Sequence, residues 1–310
     1  MTTFNNPVIK GLYADPDLVK FGDTYYIYPT TDGYEGWGGD EFSVFSAKQL
    51  TDEFKRGNVI VDFKTDQVPW AVSNAWAPCT AKRGDKYFFY FCGKRPDGHS
   101  CIGVASSDSP TGPFKAEAEP LLTIELMREH NISIGQVIDP AIYEENGDYY
   151  MLFGNGGDGV IVKMNPDMIS VDVTTLRNYE GLYDFREAVE VFKRDGLYHF
   201  TWSCDDTGSE NYHVNYGVST SLFGPVEYKY TILSKNVEKN ILATGHHSIL
   251  ALPEEDRYII AFHRFSQEAM KTVTGHARGH NREVCLAELS FNEDGFLEPV
   301  SFESLMTEIK

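Results

Sequence analysis

The chain of 310 residues carries 46 acidic against 27 basic side chains, a formal net charge of −19; such a surface repels nucleic-acid phosphates and anionic membranes, and no basic stripe offsets it. At 42% hydrophobic and 14% aromatic it has ample material for the core of one large domain, residues 1–310. Its five cysteines are scattered without a C-x-x-C pair, so neither a disulfide framework nor a thiolate zinc site is indicated. The N-terminal MTTFNNPVIK lacks the basic and apolar regions of a secretory signal, and no stretch approaches the ~20 apolar residues of a membrane span. A cytoplasmic protein is the expectation.

In chain order, Tyr13 to Thr31, YADPDLVKFGDTYYIYPTT, reads as a strand opening on Asp15-Pro16, a Gly22-Asp23 turn, and an aromatic strand from Tyr25 to Tyr28. The loop Gly33 to Asp40 follows; its Trp37 suits a pocket wall or a contact in a homo-oligomer equally. A second strand pair runs from Phe42 to Phe54. The hairpin then returns as Trp76 to Gly93, Asp139 to Asn155, Glu187 to Ser203 and His246 to Arg264, each trailed by its own second pair: Ile102 to Phe114, Val160 to Val173, Val214 to Tyr228 and Val284 to Val300. The best helical segment, Leu121 to Glu129, is short and lies between repeats. GNGGDG, Gly154 to Gly159, precedes a strand instead of a helix, so it reads as a turn and not a phosphate loop. His276 and His280 have a metal-ligand spacing, but Gly275, Arg278 and Gly279 make a loop of that stretch.

The aromatic strands recur at intervals of roughly 50 to 60 residues, a period that signals a repeat architecture. Five units of four strands predict an all-β, five-bladed β-propeller, in which radial repetition of small sheets leaves few exposed edges. A β-sandwich built of similar hairpins is the alternative; the uniform order of hairpin then second pair favours the propeller.

In a propeller the innermost strand of each blade lines the central channel. The residues opening the five hairpins, Asp15, Trp76, Asp139, Glu187 and His246, then share one mouth. Two Asp-Pro pairs and a Glu at one phase of a repeat point to acid/base chemistry, because carboxylates in different environments divide the roles of acid and base. Cleaving a glycosidic bond needs a proton on the leaving oxygen and a nucleophile or activated water on the opposite face. A third carboxylate beside the acid would keep it protonated. An indole would give a sugar ring an apolar platform.

These residues carry a resemblance. ADPD, the DPA of VIDPAIYEENGDYYMLF and the Glu of REAVEVFKRDGLYHF, on five hairpin repeats, resemble glycoside hydrolase family 43 over nearly the whole chain. The resemblance implies a five-bladed propeller and an inverting mechanism, with Asp15 as general base, Glu187 as general acid and Asp139 orienting Glu187 and tuning its pKa. Inversion would set Asp15 and Glu187 roughly 6.5–9.5 Å apart. Glu187 is followed by Ala188-Val189, where many members carry Gly-Pro or Ala-Pro, so Glu190 competes for the acid role; strand alternation puts Glu187 and Glu190 on opposite faces and favours Glu187. Trp76 resembles the family's W-A-P tryptophan against the terminal sugar, or an inter-blade packing residue. Arg282 resembles an arginine that binds sugar hydroxyls, or a channel salt bridge, and Arg264 in FHRF is a weaker candidate of the same kind. His246 resembles the axial histidine that in some members holds a calcium or sodium ion through water, or a buried histidine bonded to its neighbours; no cofactor is required. The implied substrate is a neutral pentose oligosaccharide, cut from its non-reducing end. Single-domain length suggests an α-L-arabinofuranosidase acting on α-1,5-linked arabinooligosaccharides, since the β-xylosidases compared carry an additional C-terminal β-domain for which there is no room after Val300. The alternatives are a β-xylosidase and a non-catalytic propeller that binds sugars or a protein.

Overall fold

The computed structural model describes residues 2–302. Five antiparallel sheets form the five blades of a propeller. The innermost strands are Tyr13–Phe21, Ser73–Arg83, Ala141–Glu145, Glu187–Arg194 and Gly245–Leu252. From each, the chain turns through a polar tip and runs outward in strictly sequential order. Four blades have four strands and the fifth has three. The strands are dominated by Tyr, Phe, Val and Ile, which suit a pleated, buried surface, and the cores lie between neighbouring blades. Tyr28, Phe42, Phe89 and Phe91, for example, fill the gap between the first two blades. No helix among the described residues is long and apolar enough to cross a membrane.

Most hairpins fall where the sequence places them, and the differences have local causes. The outer strand of the first blade is Lys55–Asp62, beyond the expected Phe54, because Phe54 turns into the core. The helix is only Ile124–Glu129, started by Thr123, whose hydroxyl accepts from the Leu126 N–H at 3.3 Å. The segment expected as the fifth blade's outer pair makes the strand Arg282–Leu289 followed by only an isolated bridge between Phe291 and Leu297.

Closure of the ring comes instead from the N-terminal segment. The Val8 N–H donates to the Val284 carbonyl at 3.0 Å. Fully buried Asn6 acts as a strand surrogate: its amide donates to the Leu286 carbonyl at 2.9 Å and accepts from the Leu286 N–H at 2.8 Å. Phe4, Val8 and Ile9 fill a core shared by the first and fifth blades. Asn6→Ala strips both partners from a buried backbone, at ~1–3 kcal/mol per unsatisfied group. A loss of about 2–4 kcal/mol in equilibrium denaturation is expected, and a change below 0.5 kcal/mol would show that this clasp does not hold the ring.

Candidate active site

Each inner strand begins with a kink. In the Asp15, Trp76, Glu187 and His246 repeats the register with the second strand slips, at Ala14/Asp17, Trp76/Cys79, Glu187/Glu190 and Gly245/His247. At every kink one non-glycine residue takes a left-handed conformation: Asp15 (φ 48°), Ala77 (φ 41°), Asp139 (φ 62°), Ala188 (φ 53°) and His246 (φ 37°). Each such residue costs roughly 1 kcal/mol, and a bulge of this kind re-aims a side chain. The true repeat phase is therefore Ala14-Asp15, Trp76-Ala77, Ile138-Asp139, Glu187-Ala188 and Gly245-His246. Trp76 and Glu187 stand one position earlier than Asp15, Asp139 and His246, which corrects the common phase expected for all five. The three in-phase polar residues meet on the axis, with His246 Nδ1 at 3.4 Å from Asp15 and 3.8 Å from Asp139. Ala77 and Ala188 keep the other two positions small.

Above them lies a cavity of about 120 Å³ lined by Asp15, Asp139, Glu187, His246, Trp76 and Arg282, together with Trp37, Gln136, Asn155, Arg186 and Asp206. Six of the seven expected site residues thus line one pocket. The exception is Arg264. It is 1% exposed and its Nε donates to Glu283 at 2.8 Å; the two are direct partners across the strands Arg257–Phe265 and Arg282–Leu289, so alternation turns Arg264 away from the pocket and His263 toward it. Glu190 also lies outside the pocket. The bulge after Glu187 breaks simple alternation, and Glu190 borders a separate axial cavity of about 10 Å³ with Asp17 and His247.

Asp15 is an ionised carboxylate. Burial by itself would raise it, but the Arg282 guanidinium, followed by His246 and His263, holds it well below the usual carboxylate range. Arg282 is anchored in turn, its Nη1 donating to Asp15 at 3.1 Å and its Nε and Nη2 gripping Asp32 at 2.9 and 3.2 Å. Asp139 moves the other way. Burial first, then the Glu187 and Asp15 carboxylates, pushes it well above the usual range, so the Asp139–Glu187 pair retains a proton at neutral pH. Both Glu187 oxygens are held: Oε2 accepts from Asn155, and Oε1 accepts from the Tyr212 hydroxyl at 2.6 Å.

Asp32, Asn155, Tyr212 and His263 are contributors the sequence did not single out. His263 is fully buried, and burial pushes it down to about 3, so it stays neutral; its Nδ1 lies 3.1 Å from Asp15 Oδ1 and 3.3 Å from the Asp15 backbone nitrogen. Gly245 was a signal for Tyr212, because a Cβ there would lie 2.3 Å from the tyrosine ring. Asn155 comes from the glycine-rich turn, which forms a short strand, Asn155–Gly157, paired with Ile134–Gln136. Trp37 proves to be pocket wall. Its ring meets His280 edge-on at 4.4 Å, its Nε1 donates to Gly279 at 2.8 Å, and its carbonyl accepts from Trp76 Nε1 at 2.6 Å. His276 and His280 face this indole from a short 3₁₀ turn, Gly275–His280.

The Tyr212 phenol fixes the Glu187 carboxyl by donating to Oε1 at 2.6 Å. Tyr212→Phe, which keeps the ring and removes only that donor, is expected to lower kcat at neutral pH by about tenfold with KM unchanged. An unchanged kcat would reduce Tyr212 to a packing residue.

A propeller whose axial pocket joins three buried carboxylates to two indoles defines a carbohydrate-cleaving enzyme of the acid/base type. Comparison with known proteins is specific on this point: the family description "Glycosyl hydrolases family 43" matches residues 4–297. The chain belongs to glycoside hydrolase family 43. It is 30% identical to the β-D-galactofuranosidase xynD of Aspergillus niger, over 97% of this chain and 86% of that protein. It is 28% identical to the xylosidase/arabinosidase 43A of Humicola insolens, over 93% and 97%. Among solved structures, a β-xylosidase/α-arabinofuranosidase of the family from a compost microbial metagenome, in complex with xylotriose and in a calcium-free form, superposes with a TM-score of 0.79 at 25% identity, covering 97% of this chain and 98% of that one.

Proposed function

We propose that this glycosidase is an exo-acting, inverting α-L-arabinofuranosidase that releases L-arabinose from α-1,5-linked arabinooligosaccharides. The observation that carries the exo reading is the pocket itself. At about 120 Å³ it is far below the ~300–1,000 Å³ of sites that enclose drug-sized ligands, so it suits one terminal sugar ring and not a threaded polymer. Indole walls match the apolar faces of a sugar, and the uncharged substrate needs no basic patch. The furanose reading is supported by the 30% identity to a galactofuranosidase, because α-L-arabinofuranose and β-D-galactofuranose share their ring configuration. The second reading, a β-xylosidase, is favoured by the xylotriose bound in the structural relative.

In this mechanism Arg282, His246 and His263 all approach Oδ1 of Asp15, leaving Oδ2 to take a proton from the attacking water. The water oxygen bonds to the anomeric carbon from one face as the glycosidic bond breaks on the other. Glu187 delivers the retained proton to the departing oxygen, and Asp139 keeps that proton on the pair by its charge and proximity. No step is routed through a metal. Were an axial ion to bind, His246 with Asp139 and Glu187, whose ligand atoms lie within 4.8 Å of one another, would hold it, and it would supply positive charge beside the carboxylates.

The test is hydrolysis of arabinotriose beside xylobiose and a β-D-galactofuranoside, with the anomer of the released sugar followed by NMR and Glu187→Ala as control. Arabinose released first as the inverted anomer, and lost in the variant, supports the reading. Xylose as the preferred product moves the substrate to the second reading, and retention of configuration overturns the mechanism.

A further inference from the structure

The fourth blade carries a second constellation, outside the sugar pocket. Cys204 closes the strand Leu197–Cys204 and stands directly opposite His213, the first residue of His213–Ser219. Directly opposed residues of an antiparallel pair share one face, with Cβ atoms ~4.5–5.5 Å apart. Asp184 reaches the same spot from the loop entering the blade, held in a left-handed conformation with φ 56°. A carboxylate oxygen, the thiol sulfur and an imidazole nitrogen there all lie within 4.8 Å of one another.

Two further features prepare this cluster. His213 Nδ1 lies 2.8 Å from the Asn211 carbonyl; donating its proton there leaves the Nε2 lone pair free, the arrangement that orients metal-ligating histidines. The carbonyl of Tyr183, next to Asp184, accepts from Trp202 Nε1 at 2.9 Å and Asn215 Nδ2 at 3.2 Å. The backbone that presents the carboxylate is thereby pinned to the blade.

We propose that Asp184, Cys204 and His213 bind a borderline-soft divalent cation of the zinc class, with a fourth position left to water. One sulfur, one nitrogen and one oxygen donor form a set that zinc accepts. Calcium, which takes six to eight oxygen ligands, does not suit it. Ligand atoms around a tetrahedral zinc stand roughly 3–4 Å apart, so the cluster closes by about 1 Å, a movement open to the exposed Asp184 side chain. The opposing cost is the thiol proton: burial pushes Cys204 up to about 12, so the cation must displace that proton and binding tightens as pH rises. The other acidic cluster outside the pocket, Asp97 and Glu125 with His99, is already neutralised by Arg95, which pairs with both carboxylates.

The experiment is a titration of chelator-treated, reduced protein with cobalt(II) chloride followed by absorbance, and with zinc chloride followed by calorimetry. One equivalent is expected, with the thiolate-to-cobalt charge-transfer band that reports sulfur ligation and a rise in Tm. Cys204→Ala should abolish the band, and His213→Ala should weaken zinc binding at least ~10-fold. Circular dichroism and glycosidase activity serve as the folding control, since neither residue lines the sugar pocket. Absence of a stoichiometric site, a cobalt spectrum unchanged in Cys204→Ala, or binding lost only in His246→Ala would each overturn the assignment.

Discussion

Glu187→Gln should slow release of the terminal sugar from an oligosaccharide by roughly a thousandfold, the usual scale for removing a general acid, while activity on the aryl glycoside of the same sugar with an acidic phenol as leaving group falls far less. The reason is where the proton is needed. A sugar alkoxide is a poor leaving group and must be protonated as the bond breaks, whereas a nitrophenolate departs without help. Asp15→Asn separates the two roles, because water must be activated whatever the leaving group; its loss should be about equally severe on both substrates. The pair of variants, assayed side by side, thus tests the assignment of acid and base independently of stereochemistry. Equal losses in Glu187→Gln on both substrates would remove Glu187 from the acid role.

Asp139→Asn should lower kcat by about a hundredfold and at the same time stabilise the fold at neutral pH. The folded protein holds this carboxyl well above the usual range, by burial and by the Glu187 and Asp15 charges. Between an unfolded value near ~3.9 and the raised folded value, the native state binds more protons than the unfolded state. Stability from this group is then full below about pH 4 and declines as pH rises, with a limiting slope of ~1.4 kcal/mol per unit. An amide cannot ionise, so the variant should lose that slope and show a higher Tm at pH 7. Asp15 has the opposite sign. Its folded value is depressed by Arg282 and its histidine neighbours, so its contribution is present above ~3.9 and is lost as pH falls through the folded value; Asp15→Asn should therefore destabilise, leaving part of the buried Arg282 charge uncompensated. Thermal unfolding of both variants between pH 4 and 8 reads the two signs directly, and a Tm for Asp139→Asn at or below wild type at pH 7 would show that the pair is not strained by its charge.

The five-fold hairpin repeat was legible because strand pairing is local: an apolar run, a Gly or Asp turn and an aromatic run specify a hairpin wherever they fall, and their recurrence specifies the ring. The carboxylates at Asp15, Asp139 and Glu187 were legible for the same reason, each sitting at the head of an inner strand. What sequence periodicity could not show is how those heads are kinked. The left-handed residues at Asp15, Ala77, Asp139, Ala188 and His246 shift the phase of Glu187 and Trp76 by one residue, and only long-range packing holds such conformations against their cost. Arg264 and His263 are adjacent in sequence, yet one pairs with Glu283 in the core and the other supports Asp15; which of two alternating residues faces the pocket depends on register. Asn6, Asp32, Asn155 and Tyr212 are polar residues with no motif of their own. Their roles arise from partners remote in the chain, Leu286, Arg282 and Glu187 among them, and a buried polar side chain acquires its function from whatever the tertiary fold sets within hydrogen-bond reach. The sequence by itself thus determined the fold and the acidic residues of the site, which follow from local pattern, and the family by the resemblance of its motifs. The protonation state, anchoring and closure of that site were decided by the tertiary structure, because they depend on burial and on charges brought together from opposite ends of the chain.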